Sequence, residues 1–218
     1  MAGLQDRKGN MGKLVLVRHG QSVYNLENRF TGWKDVGLTE KGIKEAKEAS
    51  KILSGFKFDL AFTSKLKRAQ ITLDLILGGM NHNKIDTIYS QALNERDYGE
   101  LVGQNKAEAA QKFGDKQVQV WRRSFDTPPP GGESLKMTSE RAIPYFKKNI
   151  LSKVTNEGMN IIVSAHGNSI RSIVMEILNL EPKEILMIEM KHTIDFIISL
   201  EVVIITDYDP CSESINQP

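Results

Sequence analysis

Residues 14–20 of this 218-residue chain read LVLVRHG, and residues 161–168 read IIVSAHGN. Both stretches are apolar, β-branched runs that end in a histidine and a glycine, a pattern typical of strands buried on both faces of a parallel sheet. Ligands bind at the carboxyl ends of the strands in an open α/β sheet. We therefore expect His19 and His166 to face one cleft. Arg18 beside His19 indicates that the cleft handles phosphoryl groups.

The composition fits one globular domain. Hydrophobic residues make up 40% of the chain and charged residues 26%, which is ordinary for such a domain. A net charge of +2 gives no reason to expect a nucleic-acid partner. We expect an extended or disordered segment over residues 1–12, a single catalytic α/β domain over 13–206 and a short polar tail over 207–218.

The redox and membrane signals point to a cytoplasmic protein. The single cysteine, Cys211, excludes an intrachain disulfide and a cysteine zinc cluster. The histidines are scattered rather than at metal-ligand spacing, so we predict no metal. Residues 1–12 lack the apolar core of a signal peptide. Residues 194–205 are apolar but too short to cross a bilayer, so we predict a late buried strand there and no membrane partner.

Strands alternate with helices along the chain, which predicts a three-layer α/β/α fold with a mostly parallel central sheet flanked by helices. We expect Thr39 to cap one helix and Ser64 to cap another. Pro144 lies inside a predicted helix over residues 133–150 and should kink it.

A histidine can accept a phosphoryl group on one ring nitrogen when it is neutral and held in one tautomer. The transferring group carries charge on three oxygens, so catalysis needs hydrogen-bond donors around it. Arg18 and Arg68 can supply such donors beside His19, and His166 can supply another. A buried structural histidine is the alternative for either ring, and the repeated His-Gly after an apolar strand argues against it.

The stretch LVRHGQS over residues 16–22 resembles the signature of the histidine phosphatase superfamily. Further stretches are similar to the cofactor-dependent phosphoglycerate mutase family. They are NRFTGW (28–33), LTEKG (38–42), TS with LKRA (63–64 and 66–69), LNER with YG (93–96 and 98–99), WRRSF (121–125) and HGNS (166–169).

The resemblance implies a role for each matching residue. His19 would be the phosphorylated nucleophile, Glu95 the proton donor and acceptor, and His166 the stabiliser of the transferring group, with Arg18 and Arg68 assisting. The substrate-binding set would be Arg18, Gln21, Ser22, Asn25, Thr31, Gly32, Arg68, Glu95, Tyr98, Lys106, Arg122, Arg123, Gly167 and Asn168. Trp33 is predicted to pack rather than to touch substrate.

The activity implied is interconversion of 3-phosphoglycerate and 2-phosphoglycerate, a step of glycolysis and gluconeogenesis. The family primes its histidine with 2,3-bisphosphoglycerate, so we expect that cofactor and a phosphohistidine intermediate. The alternatives are a phosphatase on the same fold, in which water takes the phosphoryl group from His19, and a non-catalytic binding protein. The latter would be expected to lack His19, Arg68, Glu95 or His166.

Three departures from the family pattern stand out. Residues 128–134, PPPGGES, are a compact form of a segment that often takes part in subunit contacts in the family, so the assembly is open and a homodimer is one expectation. Asp97 replaces a common histidine. Residues 190–195, MKHTID, replace a family turn near the mobile tail, which suggests a phosphoenzyme that is less well protected from water.

Overall fold

The computed structural model describes residues 11–188, 193–199 and 202–204. The predictions for residues 1–10, for the tail 207–218 and for Cys211 lie outside the described residues, as does the segment 190–192 of the altered turn. Within the described ranges, no helix is long and apolar enough to cross a membrane.

The elements alternate much as the sequence indicates. In chain order they are β1 (Lys13–Arg18), α1 (Val23–Leu26), α2 (Glu40–Ile52), β2 (Leu60–Ser64), α3 (Lys67–Gly79), β3 (Thr87–Ser90), two 3₁₀ turns (Gln91–Leu93 and Gly99–Leu101), α4 (Lys106–Phe113), α5 (Asp115–Arg123), α6 (Leu135–Phe146), a π-helical segment (Lys147–Leu151), α7 (Ser152–Asn156), β4 (Ile161–Ala165), α8 (Gly167–Ile177), α9 (Pro182–Met187), β5 (Thr193–Ser199) and β6 (Val202–Ile204).

The described strands form a sheet in the order β3-β2-β4-β1-β5-β6. Strands β3, β2, β4 and β1 are parallel to one another, and β5 and β6 add antiparallel strands beyond β1. The expected mostly parallel sheet is confirmed. The two apolar runs, β1 and β4, are neighbours at its centre, where helices cover both faces.

Alternation along β1 explains the three layers, because successive side chains of a strand point to opposite faces. Leu14 and Leu16 pack in a cluster with residues of α6 and α8. Val15 and Val17 pack in a second cluster with residues of α2 and α3. All four side chains are fully buried, which explains why β1 reads as an uninterrupted apolar run.

The helix-start predictions had mixed outcomes. Thr39 is the N-cap of α2, and its hydroxyl accepts a hydrogen bond from the Gly42 N–H. The prediction that Ser64 caps α3 was wrong, since Leu66 is the N-cap and makes no side-chain capping bond. Ser64 is the last residue of β2, and its hydroxyl bonds the His166 ring instead.

Two further predictions were imprecise. The helix predicted over residues 133–150, with Pro144 inside it, is α6 over Leu135–Phe146 followed directly by the π-helical segment Lys147–Leu151. The single late strand predicted over residues 194–205 is two strands, β5 and β6, paired antiparallel. An apolar run gives no sign of a reversal when no glycine or proline marks it.

Candidate active site

The two histidines follow strands that are directly paired. Arg18 at the end of β1 lies opposite Ala165 at the end of β4, and the His19 N–H donates to the Ala165 carbonyl at 3.1 Å. His19 and His166 therefore leave the same edge of the sheet, and their ring centroids lie 5.0 Å apart. The two rings expected to face one cleft thus lie side by side, and His166 is fully buried.

The ring of His19 is held in one tautomer. Nδ1 lies 2.7 Å from the Gly20 carbonyl oxygen, and because a carbonyl can only accept, Nδ1 carries the proton. Nε2 accepts a hydrogen bond from Nε of Arg68 at 3.3 Å. The lone pair needed for attack on phosphorus is thus on Nε2.

Arg68 is fully buried at the start of α3. Beyond its contact with His19, its guanidinium donates to the carbonyls of Lys34 at 3.0 Å and Gly32 at 2.9 Å. Burial lowers its pKa to about 10, against the opposing effect of Glu95. The side chain remains a cation at neutral pH and joins the nucleophile to the loop before α2.

His166 is fully buried beside His19. Burial, followed by the positive charge of Arg68, holds the pKa of His166 well below its ordinary value, so the ring is neutral. Ser64 Oγ lies 2.7 Å from Nε2 and accepts from the Leu66 N–H at 3.1 Å. The contact with Ser64 orients the ring, and its other nitrogen, Nδ1, has no hydrogen-bond partner in the described part of the chain.

Glu95 is nearly buried, with 9% of its surface exposed. Its Oε1 accepts from the N–H groups of Arg96 at 2.9 Å and Asn168 at 3.0 Å. Asn168 is on the first turn of α8, whose N-terminus favours negative charge. One carboxylate oxygen is thereby fixed, and no hydrogen bond to Oε2 occurs within residues 11–188.

His19, Arg68 and Glu95 line a cavity of about 390 Å³. The other lining residues are Arg18, Asn25, Arg29, Phe30, Thr31, Gly32, Tyr98, Lys106, Arg122, Arg123, Gly167, Asn168 and Arg171. Seven of the sixteen lining residues are arginine or lysine, and Glu95 is the one carboxylate among them. Such a cavity suits a small ligand with several negative charges.

The crowding of cations perturbs their pKa values. Burial, with Arg122 and Arg18 nearby, lowers the pKa of Lys106 to about 8. Burial also lowers the pKa of Arg122. A bound anion would relieve this repulsion, so the cavity is electrostatically prepared for one.

Most of the predicted site residues meet at this cavity, and three do not line it: Gln21, Ser22 and the fully buried His166. Gln21 uses its N–H to bond Glu45 and its side-chain oxygen to accept from Thr39. Ser22 is the fully buried N-cap of α1, and its N–H and hydroxyl both donate to Oδ1 of Asn25. These two residues shape the turn after His19.

Three lining residues were missed by the sequence reasoning, namely Arg29, Phe30 and Arg171. Arg171 lies one helical turn after Gly167 in α8, so helical spacing could have placed it on the same face. Trp33, predicted to pack, also donates its indole N–H to the Glu95 carbonyl at 2.6 Å. A bond to a distant backbone carbonyl leaves no trace in sequence.

The described residues contain no group of three or more His, Cys, Asp or Glu side chains arranged to hold a metal ion. The cavity instead gathers arginines around a neutral histidine. That arrangement can hold a phosphoryl group by charge-assisted hydrogen bonds while Nε2 of His19 attacks phosphorus.

Solved structures with this fold include both mutases and phosphatases. A phosphoglycerate mutase from Bacillus anthracis aligns with a TM-score of 0.70 at 21% identity, over 91% of this chain and 93% of that one. A mycobacterial glucosyl-3-phosphoglycerate phosphatase in complex with VO3 gives a TM-score of 0.76 at 22% identity, over 91% and 99%. At these identities the likeness establishes the fold.

Curated relatives are far more similar. Proteins named 2,3-bisphosphoglycerate-dependent phosphoglycerate mutase include one from Nitrobacter winogradskyi, 58% identical over 79% of this chain and 84% of the relative. Another, from Rhizobium meliloti, is 51% identical over 87% and 90%. The family model of the histidine phosphatase superfamily (branch 1) matches residues 14–208. The resemblance seen in the motifs is confirmed, and this chain belongs to branch 1 of the histidine phosphatase superfamily.

Proposed function

We propose that this chain is a 2,3-bisphosphoglycerate-dependent phosphoglycerate mutase that interconverts 3-phosphoglycerate and 2-phosphoglycerate through a phosphohistidine at His19. One observation carries the proposal: a neutral imidazole presents its Nε2 lone pair, 3.3 Å from Arg68 Nε, to a cavity lined by seven arginine or lysine side chains and one carboxylate. Relatives of this name at 51% to 58% identity support the same activity.

The side chains of the site account for each bond and each proton in the phosphoryl transfer. Nε2 of His19 bonds to phosphorus as the phosphorus–oxygen ester bond breaks, and the leaving substrate oxygen takes a proton from Oε2 of Glu95. Nδ1 keeps its proton and its bond to Gly20 throughout. In the second half of the cycle a substrate hydroxyl returns its proton to Glu95 and takes the phosphoryl group from His19.

Arg18, Arg68 and His166 surround the transferring group in this proposal. With the Ser64 hydroxyl donating to Nε2 and the ring proton on Nδ1, a neutral His166 would be a hydrogen-bond donor that adds no further positive charge. Preorganised donors of this kind stabilise charge that develops in the transition state, since they need no reorganisation as the reaction proceeds.

The remaining lining residues would bind the other charged groups of the ligand. Arginine forks match phosphate and carboxylate oxygens, and backbone N–H groups at the start of α8 favour anions. We assign this role to Asn25, Thr31, Gly32, Tyr98, Lys106, Arg122, Arg123, Gly167 and Asn168, with Gln21 and Ser22 holding the turn beneath them.

The cavity also fits the cofactor. A bisphosphorylated three-carbon acid carries more charge than either substrate, and cationic side chains surround the cavity at Arg18, Arg29, Lys106, Arg122, Arg123 and Arg171. When bound, 2,3-bisphosphoglycerate supplies the phosphoryl group that charges His19. No metal ion is needed for a transfer in which arginines neutralise the charge.

Mass spectrometry tests the nucleophile. Incubation with 2,3-bisphosphoglycerate should add one phosphoryl group to the wild-type chain. His19→Ala should remove the adduct and His82→Ala should keep it. An adduct that persists in His19→Ala contradicts the assignment.

A phosphatase is the competing activity on this fold. A coupled assay separates the two, because a mutase forms 2-phosphoglycerate from 3-phosphoglycerate faster than it releases inorganic phosphate. Phosphate release that outruns isomerisation would replace the mutase with the phosphatase.

The location, domain limits and assembly of the enzyme are part of the proposal. We propose a cytoplasmic location, in agreement with the single cysteine, and the proposed domain limits 13–206 enclose nearly all of the family match over residues 14–208. A homodimer is proposed as the assembly, to be tested by light scattering. We propose small phosphorylated acids as its partners, and neither nucleic acid nor membrane.

A further inference from the structure

The backbone of Glu95 is held from outside the cavity. Its carbonyl oxygen accepts from Nη2 of Arg141 at 2.8 Å and from Nε1 of Trp33 at 2.6 Å. Neither side chain lines the cavity, and the Arg141 guanidinium lies 5.7 Å from the centroid of the Trp33 ring. Two donors from different parts of the chain thus meet on one carbonyl.

The guanidinium of Arg141 also fixes the residues before Glu95. Its Nη1 donates to the carbonyls of Ala92 at 3.0 Å and Asn94 at 3.1 Å. Its Nε and Nη2 each lie 2.8 Å from an oxygen of Glu133. This bidentate pairing orients the fork so that its remaining donors point at the loop.

Glu133 also holds the loop on the C-terminal side of Glu95. Its Oε2 accepts from the Asp97 N–H at 3.0 Å, and its own N–H donates to the Asp97 carbonyl at 2.9 Å. Burial raises the pKa of Glu133, but the hydrogen bonds from Arg141 and Asp97 outweigh this and leave the pKa below its ordinary value. The carboxylate is therefore ionised at neutral pH, as the pairing requires.

Arg141 and Glu133 belong to one rigid support. Arg141 is on α6, and Glu133 immediately precedes Ser134, the N-cap of that helix. Helix α6 packs its apolar face in the core cluster with β1 and β4. The loop that carries Glu95 is consequently fixed to the same core that positions His19 and His166.

We propose that Arg141, oriented by Glu133, is a positioning residue that holds Oε2 of Glu95 at the place where it exchanges a proton with the substrate oxygen. Trp33 assists through the same carbonyl. The inference rests on the proton-transfer role proposed for Glu95 above. General acid–base transfer needs heavy atoms within about 2.6–3.2 Å, so a small shift of this loop disables it while the anion-binding arginines stay in place.

Comparing two phosphoryl donors distinguishes a role in positioning Glu95 from a role in stabilising the fold. An alkyl phosphate such as phosphoglycerate needs a proton on its leaving oxygen. The aryl donor 4-nitrophenyl phosphate releases a phenolate that is stable without one. Loss of a positioned acid should therefore slow phosphorylation of His19 by the first donor and spare phosphorylation by the second.

The experiment compares Arg141→Met, Trp33→Phe and Glu95→Gln with the wild type. The rate of phosphohistidine formation is measured by mass spectrometry with each donor, together with kcat and KM for 3-phosphoglycerate. We expect Arg141→Met to lower kcat by roughly 100-fold, within the range of lost general acid catalysis. Its KM and its rate with 4-nitrophenyl phosphate should stay within about twofold of the wild type.

Matched variants control for stability and charge. Lys147→Met removes the 2.6 Å ion pair with Glu176, just beyond α6 and without contact to Glu95, and should leave both donor rates unchanged. Arg141→Lys keeps the charge without the fork and should restore little. If Arg141→Met does not fold, the donor comparison is made with Trp33→Phe instead. This variant removes the N–H that bonds the Glu95 carbonyl and keeps an aromatic ring.

Two outcomes would overturn the proposal and have different meanings. In the first, Glu95→Gln slows phosphorylation by phosphoglycerate and not by 4-nitrophenyl phosphate, but Arg141→Met and Trp33→Phe lower both rates equally or change only KM. Glu95 then transfers the proton, but Arg141 does not position it. If Glu95→Gln itself fails to separate the donors, the proton-transfer role falls and the inference falls with it.

Discussion

The hydroxyl oxygen of Ser64 lies 2.7 Å from Nε2 of His166, so the last residue of β2 orients a ring that follows β4. Ser64→Ala removes this bond and leaves both ring nitrogens without a partner among the described residues. Because a hydrogen bond contributes about 1 kcal/mol, we expect phosphohistidine formation to slow by roughly fivefold to tenfold, measured by rapid quench.

Ser139→Ala is the matched control for that change. It also deletes a buried hydroxyl, one that bonds Ser172 at 2.8 Å, but neither residue lines the cavity. A rate in Ser64→Ala equal to that of Ser139→Ala would remove the orienting role.

The lowered pKa of His166 makes stability depend on pH. The unfolded chain gains a proton on this ring below about pH 6.5, whereas the buried ring in the folded chain stays neutral. Acid therefore favours the unfolded state. The unfolding free energy of the wild type should therefore decrease as the pH falls below 6.5. In His166→Gln this decrease should be smaller, by up to about 1.4 kcal/mol per pH unit. Urea unfolding at several pH values measures this, and parallel curves for both proteins would contradict it.

Lys106 should make substrate capture sensitive to alkali. Its pKa of about 8 means that the free enzyme loses a cavity cation between pH 7 and 9, while the phosphate, with a second pKa near 6, keeps its charge. We expect kcat/KM to fall by roughly tenfold over that range. Lys106→Arg should abolish the fall, whereas Lys112→Arg, on the exposed side of α4, should preserve it.

Gly42 permits close contact between α2 and the turn after His19. A Cβ at this position would lie 2.2 Å from the Gln21 carbonyl oxygen, so Gly42→Ala must displace backbone. We expect a loss of about 1–3 kcal/mol in unfolding free energy and slower phosphorylation of His19. Gly55→Ala, where no atom lies within 4 Å, should change neither quantity. Normal activity in Gly42→Ala would show that the contact is dispensable.

Arg68→Lys tests whether a fork is required beside the nucleophile. Lysine keeps the charge, but its single nitrogen cannot replace the bonds to His19, Gly32 and Lys34 together. Removal of one donor aimed at developing charge typically costs about 100-fold to 1000-fold in rate, and we expect a loss of that size in kcat. Thermal unfolding checks the fold, and wild-type kcat in the variant would exclude the requirement.

The fold and the pair of histidines could be predicted because their signals are local, whereas most other cavity residues were predicted through the family resemblance. An apolar run followed by His-Gly predicts both a buried strand and the edge of the sheet where the histidine lies. Both β1 and β4 have this pattern. Arg68 was found for the same reason, since it lies four residues after the end of β2, at the start of α3.

What escaped prediction depends on contacts between distant segments. The hydrogen bond from Arg141 to the Glu95 carbonyl joins residues 46 positions apart. Every residue has a backbone carbonyl, so the sequence does not indicate which one accepts. Ser64 was wrongly given to helix capping because a serine before a helix is usually a cap; the competing partner, His166, is 102 residues away.

The direct pairing of Arg18 with Ala165 has an evolutionary consequence. The separation of the two imidazoles is set by hydrogen bonds between central strands, so insertions in the surrounding loops leave it unchanged. Selection can therefore lengthen or recompose the segments that meet the rest of the ligand, and so alter which phosphoester is accepted, while the machinery that carries phosphorus is inherited intact.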